Sequence, residues 1–83
     1  MSYFVYILYS DLCKKFYTGQ SDNFTNRLFE HNKGETKSIK HCIPWMLVWN
    51  KEVATRAEAM MLEKKIKSRG AARFLKDLGI EVA

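Results

Sequence analysis

Ser2-Tyr-Phe-Val-Tyr-Ile-Leu-Tyr9 is apolar on both alternating registers, the pattern of a strand covered on both faces. It is expected to be the central strand. A polar stretch from Ser10 to Lys15 separates it from Phe16-Tyr-Thr-Gly-Gln20, close enough for an antiparallel hairpin. With the hairpin symmetric about Asp11-Leu12, Tyr6 and Tyr17 stand directly opposite one another on one face. Ser21-Asp22 offers an N-cap for a helix running to about Asn32, with Lys33-Gly34 as its stop. After a basic connection from Glu35 to Pro44, Trp45-Met-Leu-Val-Trp49 reads as a third strand, and Asn50 to Ala54 leads out of it. Thr55-Arg-Ala-Glu58 matches a capping box, so a helix of about fourteen residues is expected to follow. Gly70 breaks that segment, and Phe74, Leu75 and Leu78 mark a last short helix docking on the core. The order is β-β-α-β-α-α, an α/β chain of the α+β kind.

Three polar residues disturb this pattern. On the first helix Phe24 and Leu28 mark the inward stripe, and at about 100° per residue Arg27 and His31 fall within about 60° of Phe24. On the second, the stripe is Ala59, Leu62 and Ile66, and Glu63 lies about 40° from Ala59. Glu58 has a capping task at the helix start; Glu63 is a carboxylate on the side that should meet the sheet.

Length and charge narrow the setting. Eighty-three residues, 47% of them apolar and 28% charged, fit one domain over residues 1–83 with one core and little room for buried charge without a purpose. Fourteen Lys and Arg against nine Asp and Glu leave +5 at neutral pH, a moderate bias toward an anionic partner. Its local source is Lys64, Lys65, Lys67, Arg69, Arg73 and Lys76, with no acidic residue between them. No stretch approaches the ~18 apolar residues of a membrane span, and Phe4 to Tyr9 lacks the flanks of a secretion signal. A soluble, cytoplasmic protein with no membrane partner is expected, with Cys13 and Cys42 as reduced thiols. A zinc site from Cys13, His31, His41 and Cys42 would lack paired ligand spacing.

Two tyrosines on one sheet face, an inward Arg with a His one turn on, and one inward Glu share a chemical sense: they can hold and cut a phosphodiester. An Arg fork matches two phosphate oxygens, and a lone carboxylate can hold a Mg²⁺ that keeps most of its waters. A phenol could take a proton from attacking water, although its ordinary pKa of about 10 needs nearby positive charge to bring it down. Each part also has a plain structural reading. The tyrosines could be packed strand aromatics, Arg27 and Glu63 an ion pair between helices, His31 a core-edge imidazole, and the Lys64–Lys76 run a solvated face. Trp45, Trp49, Met60 and Met61 read as packing.

Val5-Tyr6-Ile7, Tyr17-Thr18-Gly19, Arg27 and His31 in Asn26-Arg-Leu-Phe-Glu-His-Asn32, and Glu63 in Glu58-Ala-Met-Met-Leu-Glu63 together resemble the GIY-YIG nucleases, the short stand-alone bacterial members above all. The resemblance runs from about Tyr3 to Leu78. It implies a small three-stranded antiparallel sheet flanked by helices, and an endonuclease that hydrolyses a nucleic-acid phosphodiester with one Mg²⁺ or Mn²⁺. By position, Tyr6 is similar to the general base, Tyr17 to the tyrosine that orients water or phosphate, Arg27 to the phosphate clamp, His31 to a proton acceptor or orienter, and Glu63 to the metal ligand. The chain departs from the pattern at Gln20, where several relatives carry a basic or small residue, and in having no asparagine after Asn50. With no helix-turn-helix or zinc finger, recognition would rest on phosphates and shape, with Lys64, Lys65, Lys67, Arg69, Arg73 and Lys76 as contacts. The expected substrate is branched, nicked or single-stranded DNA, in preference to RNA, in repair or recombination, with a protein partner or homodimer left open. Two other classes fit the same residues: a nucleic-acid-binding module without turnover, and an interaction subunit of a larger complex.

Overall fold

The computed structural model describes residues 2–22, 32 and 41–82. Strands β1 (Tyr3–Ser10), β2 (Lys15–Ser21) and β3 (Met46–Val53) are followed by helices α1 (Arg56–Arg69) and α2 (Ala71–Asp77). The strands form an antiparallel sheet in the order β2-β1-β3, an α+β arrangement. The helix expected between Ser21-Asp22 and Asn32 lies outside the described residues except for Asn32, and with it Arg27 and His31.

β1 is central because its side chains are apolar on both faces, and Val5, Tyr6, Ile7 and Leu8 are all fully buried. Val5 and Ile7 meet Ala59 and Ile66 of α1 and Leu75 of α2. Tyr6 and Leu8 point the other way, into a second cluster with Trp45, flanked by Tyr17, Cys42 and Ile43. Helix α1 begins and ends where the sequence predicts. The Thr55 hydroxyl accepts from the Glu58 N–H at 3.2 Å, satisfying one of the free amides of the first turn. Gly70 ends the helix at φ 92°, a conformation costly for any residue with a Cβ. Its N–H donates to the Ile66 carbonyl at 2.8 Å and its own carbonyl accepts from Phe74 N–H at 2.9 Å, so one residue closes α1 and starts α2.

Four expectations are corrected. The β1–β2 turn takes four residues, Asp11 to Lys14, with Lys14 at φ 55°, so pairing runs from Phe4 opposite Ser21 to Ser10 opposite Lys15. Tyr6 therefore faces Gly19 and Tyr17 faces Leu8. The shift is two residues, and a sheet has period two, so both tyrosines keep the same face. The Lys14 ammonium spans the turn to Asp11 at 2.6 Å, which raises the Lys14 pKa. Second, β3 continues through Asn50-Lys51-Glu52 to Val53. These polar residues pair with β1 through the backbone while their side chains remain exposed. A register irregularity between Ile7 and Leu8 leaves Val48 as the extra residue on β3.

Third, Leu78 is 52% exposed at the end of α2; Ile80 and Val82 pack on the core in its place, with Ile80 N–H returning to the Leu75 carbonyl at 2.9 Å. Fourth, Cys13 and Cys42 are joined in a disulfide, with Cα atoms 5.4 Å apart. The Ser10 hydroxyl donates to the Cys42 carbonyl at 2.6 Å and accepts from Cys13 N–H at 3.1 Å, so the β1–β2 turn is tied to the segment leading into β3. The bridge also removes both sulfurs as zinc ligands.

Candidate active site

Gly19 explains how two bulky phenols occupy one face of a narrow hairpin. A Cβ at this position would stand 2.7 Å from the Tyr6 Oη, 2.8 Å from its Cζ and 3.1 Å from Cε1 of Tyr17. Both rings lean over the bare backbone of one residue on β2. Tyr6 is 1% exposed, whereas Tyr17 is half-buried and its ring lies 6.2 Å from that of Trp45. The two predicted tyrosines are thus brought together, diagonally across the hairpin.

Glu63 is reached from the other side of the same strand. Alternation along β2 sends Gln20 to the face opposite Gly19, and Gln20 lines a shallow cleft of about 380 Å³ with Met60, Glu63, Lys64, Lys67 and Ser68 of α1. The Glu63 side chain is 20% exposed, and its Oε2 accepts from the Lys67 ammonium at 2.8 Å, an i,i+4 pair. Neither tyrosine lines this cleft. In the described sheet β2 is an edge strand, so the tyrosines and the carboxylate flank its edge at the successive residues Gly19 and Gln20. Among the described residues no group of three or more His, Cys, Asp or Glu converges. One carboxylate beside a solvent-open cleft fits a hard cation that keeps most of its waters, and does not fit an all-protein cage.

The basic run divides between two surfaces. Lys64 and Lys67 line the Glu63 cleft. Arg69, Arg73 and Lys76 gather instead at the elbow between α1 and α2, where Arg69 donates to both oxygens of Asp77 at 2.9 and 3.1 Å. That fork lowers the Asp77 pKa and raises that of Arg69. Lys65 lines an adjoining hollow of the elbow with Arg69, Phe74 and Leu78.

The structure adds residues to which the sequence reading gave no role. The Asn32 side chain accepts from Trp45 N–H at 2.7 Å and donates to the Trp45 carbonyl at 3.2 Å, anchoring the start of β3. Arg56 and Gln20 line a second hollow beside the first. Arg56 carried no signal because an exposed cation at a helix start is ordinary.

A search of curated protein sequences finds no match. The chain is similar in structure to the UPF0213 protein BH0048 of Bacillus halodurans, solved by solution NMR, with a TM-score of 0.59 and 25% sequence identity over 95% of this chain and 84% of that one. A family model described as the GIY-YIG catalytic domain matches residues 2–75. With that span taking in both tyrosines, Gly19, Gln20 and Glu63, the chain belongs to the GIY-YIG family and carries its nuclease-type domain.

Proposed function

We propose that the protein is an endonuclease that hydrolyses phosphodiester bonds, in DNA chosen by structure rather than sequence, as repair or recombination of a cell's own DNA requires. The observation that supports this most is the convergence of Tyr6 and Tyr17 over Gly19, with Glu63 and Gln20 on the other side of the same strand edge. A phosphodiester lying along that edge would have the Tyr17 phenol on one flank and the Glu63 carboxylate on the other. Glu63 would hold one Mg²⁺ or Mn²⁺, and that ion would supply positive charge to the phosphoryl oxygens as negative charge develops on them. Tyr17, half-buried, would meet the attacking water or a phosphate oxygen; Tyr6, buried beside it, stands where the family pattern has its general base and would brace Tyr17 through their shared seat on Gly19. Arg27 serves as the phosphate clamp and His31 as proton acceptor or orienter. Rate acceleration then comes from positioning and fixed charge, with no covalent enzyme intermediate.

The test is direct cleavage. Labelled branched, nicked and single-stranded DNA, and matching RNA, are incubated with the protein in Mg²⁺ or Mn²⁺. Cutting of at least one substrate, abolished by EDTA, is expected. Binding without cutting in every metal would make the protein a non-catalytic module instead.

A further inference from the structure

We propose that the nucleic-acid strand lies in a trough alongside α1, held by Arg56 and Gln20 as well as Lys67, rather than across the basic elbow between α1 and α2. This rests on the nuclease reading above and assigns the path of its substrate. Two hollows, of about 290 and about 380 Å³, meet at Gln20, which lines both. The first is bounded by Arg56 and the second by Met60, Glu63 and Lys67. These four helix residues are spaced three or four apart and form one stripe. On the wheel, Arg56 and Lys67 fall within about 40° of Glu63, whereas Lys65 and Arg69 are turned about 120–160° away from it.

That angle decides between the surfaces. The elbow holds more positive charge, but a strand whose reacting phosphate sits at Glu63 cannot touch Lys65 or Arg69 without leaving the cleft. Arg69 is also held by Asp77 through two hydrogen bonds, against the single one that Lys67 makes to Glu63, while Arg56 and Gln20 line the open hollow. Along the trough, Arg56 lies about 10 Å before Glu63 and Lys67 about 6 Å after it, at 1.5 Å per residue. At ~3.4 Å of rise per nucleotide, that length accommodates about four to five nucleotides, with a cation on each side of the reacting position. Met60, 56% exposed between Arg56 and Glu63, offers an adaptable apolar surface to a sugar or base. Asp22 stands at the Arg56 end and sets a limit to the track there.

The experiment measures affinity for fluorescein-labelled single-stranded DNA by anisotropy, in EDTA so that the strand stays intact, between 50 and 200 mM KCl. One lost phosphate contact on a single strand lowers the slope of log affinity against log salt by about 0.7, about eightfold in affinity at 50 mM and about threefold at 200 mM. Arg56→Gln is expected to show this loss, Arg56→Lys to restore the slope, and Arg73→Gln at the elbow to have a smaller effect than Arg56→Gln. An effect of Arg73→Gln equal to or larger than that of Arg56→Gln overturns the trough while leaving the nuclease reading intact. A wild-type protein that binds none of the single-stranded, branched or duplex probes at 50 mM overturns both.

Discussion

Replacing Gly19 by alanine sets two known effects against each other, and their magnitudes decide the sign. Glycine inside a strand is less favourable than alanine by about 0.5–1 kcal/mol, so on backbone grounds Gly19→Ala stabilises. The new methyl, however, would lie 2.7 Å from the Tyr6 Oη and 2.8 Å from its Cζ, inside van der Waals contact, and Tyr6 is only 1% exposed. Overpacking of this kind costs about 1–3 kcal/mol. The net expectation is destabilisation of about 1 kcal/mol, and for a domain of this size a drop in melting temperature of roughly 4–8 °C. Urea unfolding followed by circular dichroism measures it. Tyr6→Phe removes only the nearer of the two Tyr6 atoms, so its relief should be partial. Tyr6→Leu removes both, and a double-mutant cycle with Gly19→Ala should give a coupling of about 1 kcal/mol. A Gly19→Ala protein that melts higher than wild type, or a cycle without coupling, would refute the claim that Gly19 is there to seat the phenols.

Other expectations follow from particular contacts. Asn32→Ala withdraws both hydrogen bonds that hold the buried Trp45 backbone, and should cost about 1–3 kcal/mol in urea unfolding followed by tryptophan fluorescence; an unchanged midpoint would show the clamp to be idle. The Cys13–Cys42 bridge spans a sequence separation of 29, so Cys13→Ser with Cys42→Ser should lose about 3–4 kcal/mol on chain-entropy grounds, and equal midpoints for the variant and the wild type would contradict it. The Asp77 carboxyl is held below its ordinary value, first by its hydrogen bonds from Arg69. A depressed folded pKa contributes stability above the unfolded value and loses it as pH falls through the folded one. The melting temperatures of wild type and Asp77→Asn should therefore differ at neutral pH and converge below about pH 4; a difference unchanged down to pH 2 would show that this pair does not couple to folding.

The parts legible in the sequence are those written locally. Thr55 with Glu58, and Gly70, bracket α1 because the free amides of a helix start and the left-handed residue at its end have few side-chain solutions. Apolarity on both registers marks β1 as central for an equally local reason. The hairpin register was not legible, since four turn residues with Lys14 in a left-handed conformation cannot be told from two by composition. Both tyrosines nevertheless share a face, because a two-residue shift preserves the alternation of a strand. Asn50-Lys51-Glu52 reads as an exit from the sheet, yet the backbone of β1 keeps pairing with it, a non-local preference that outweighs side-chain polarity. The disulfide depends on two loops meeting, which spacing does not encode. At the candidate site, residue types singled out Tyr6, Tyr17 and Glu63, but their placement around an edge strand, and the presence of Arg56 and Gln20 in the same trough, are products of the tertiary fold.

Glu63 is the residue on which cleavage should depend and binding should not, and a single variant separates the two. Glu63→Ala should be measured for cleavage rate in Mg²⁺ and for affinity toward the same DNA by anisotropy. Cutting is expected to be abolished while affinity is kept or increased, since a negative charge leaves the strand's path. A variant that still cuts at the wild-type rate, or that loses binding and cutting together while remaining folded, would contradict it.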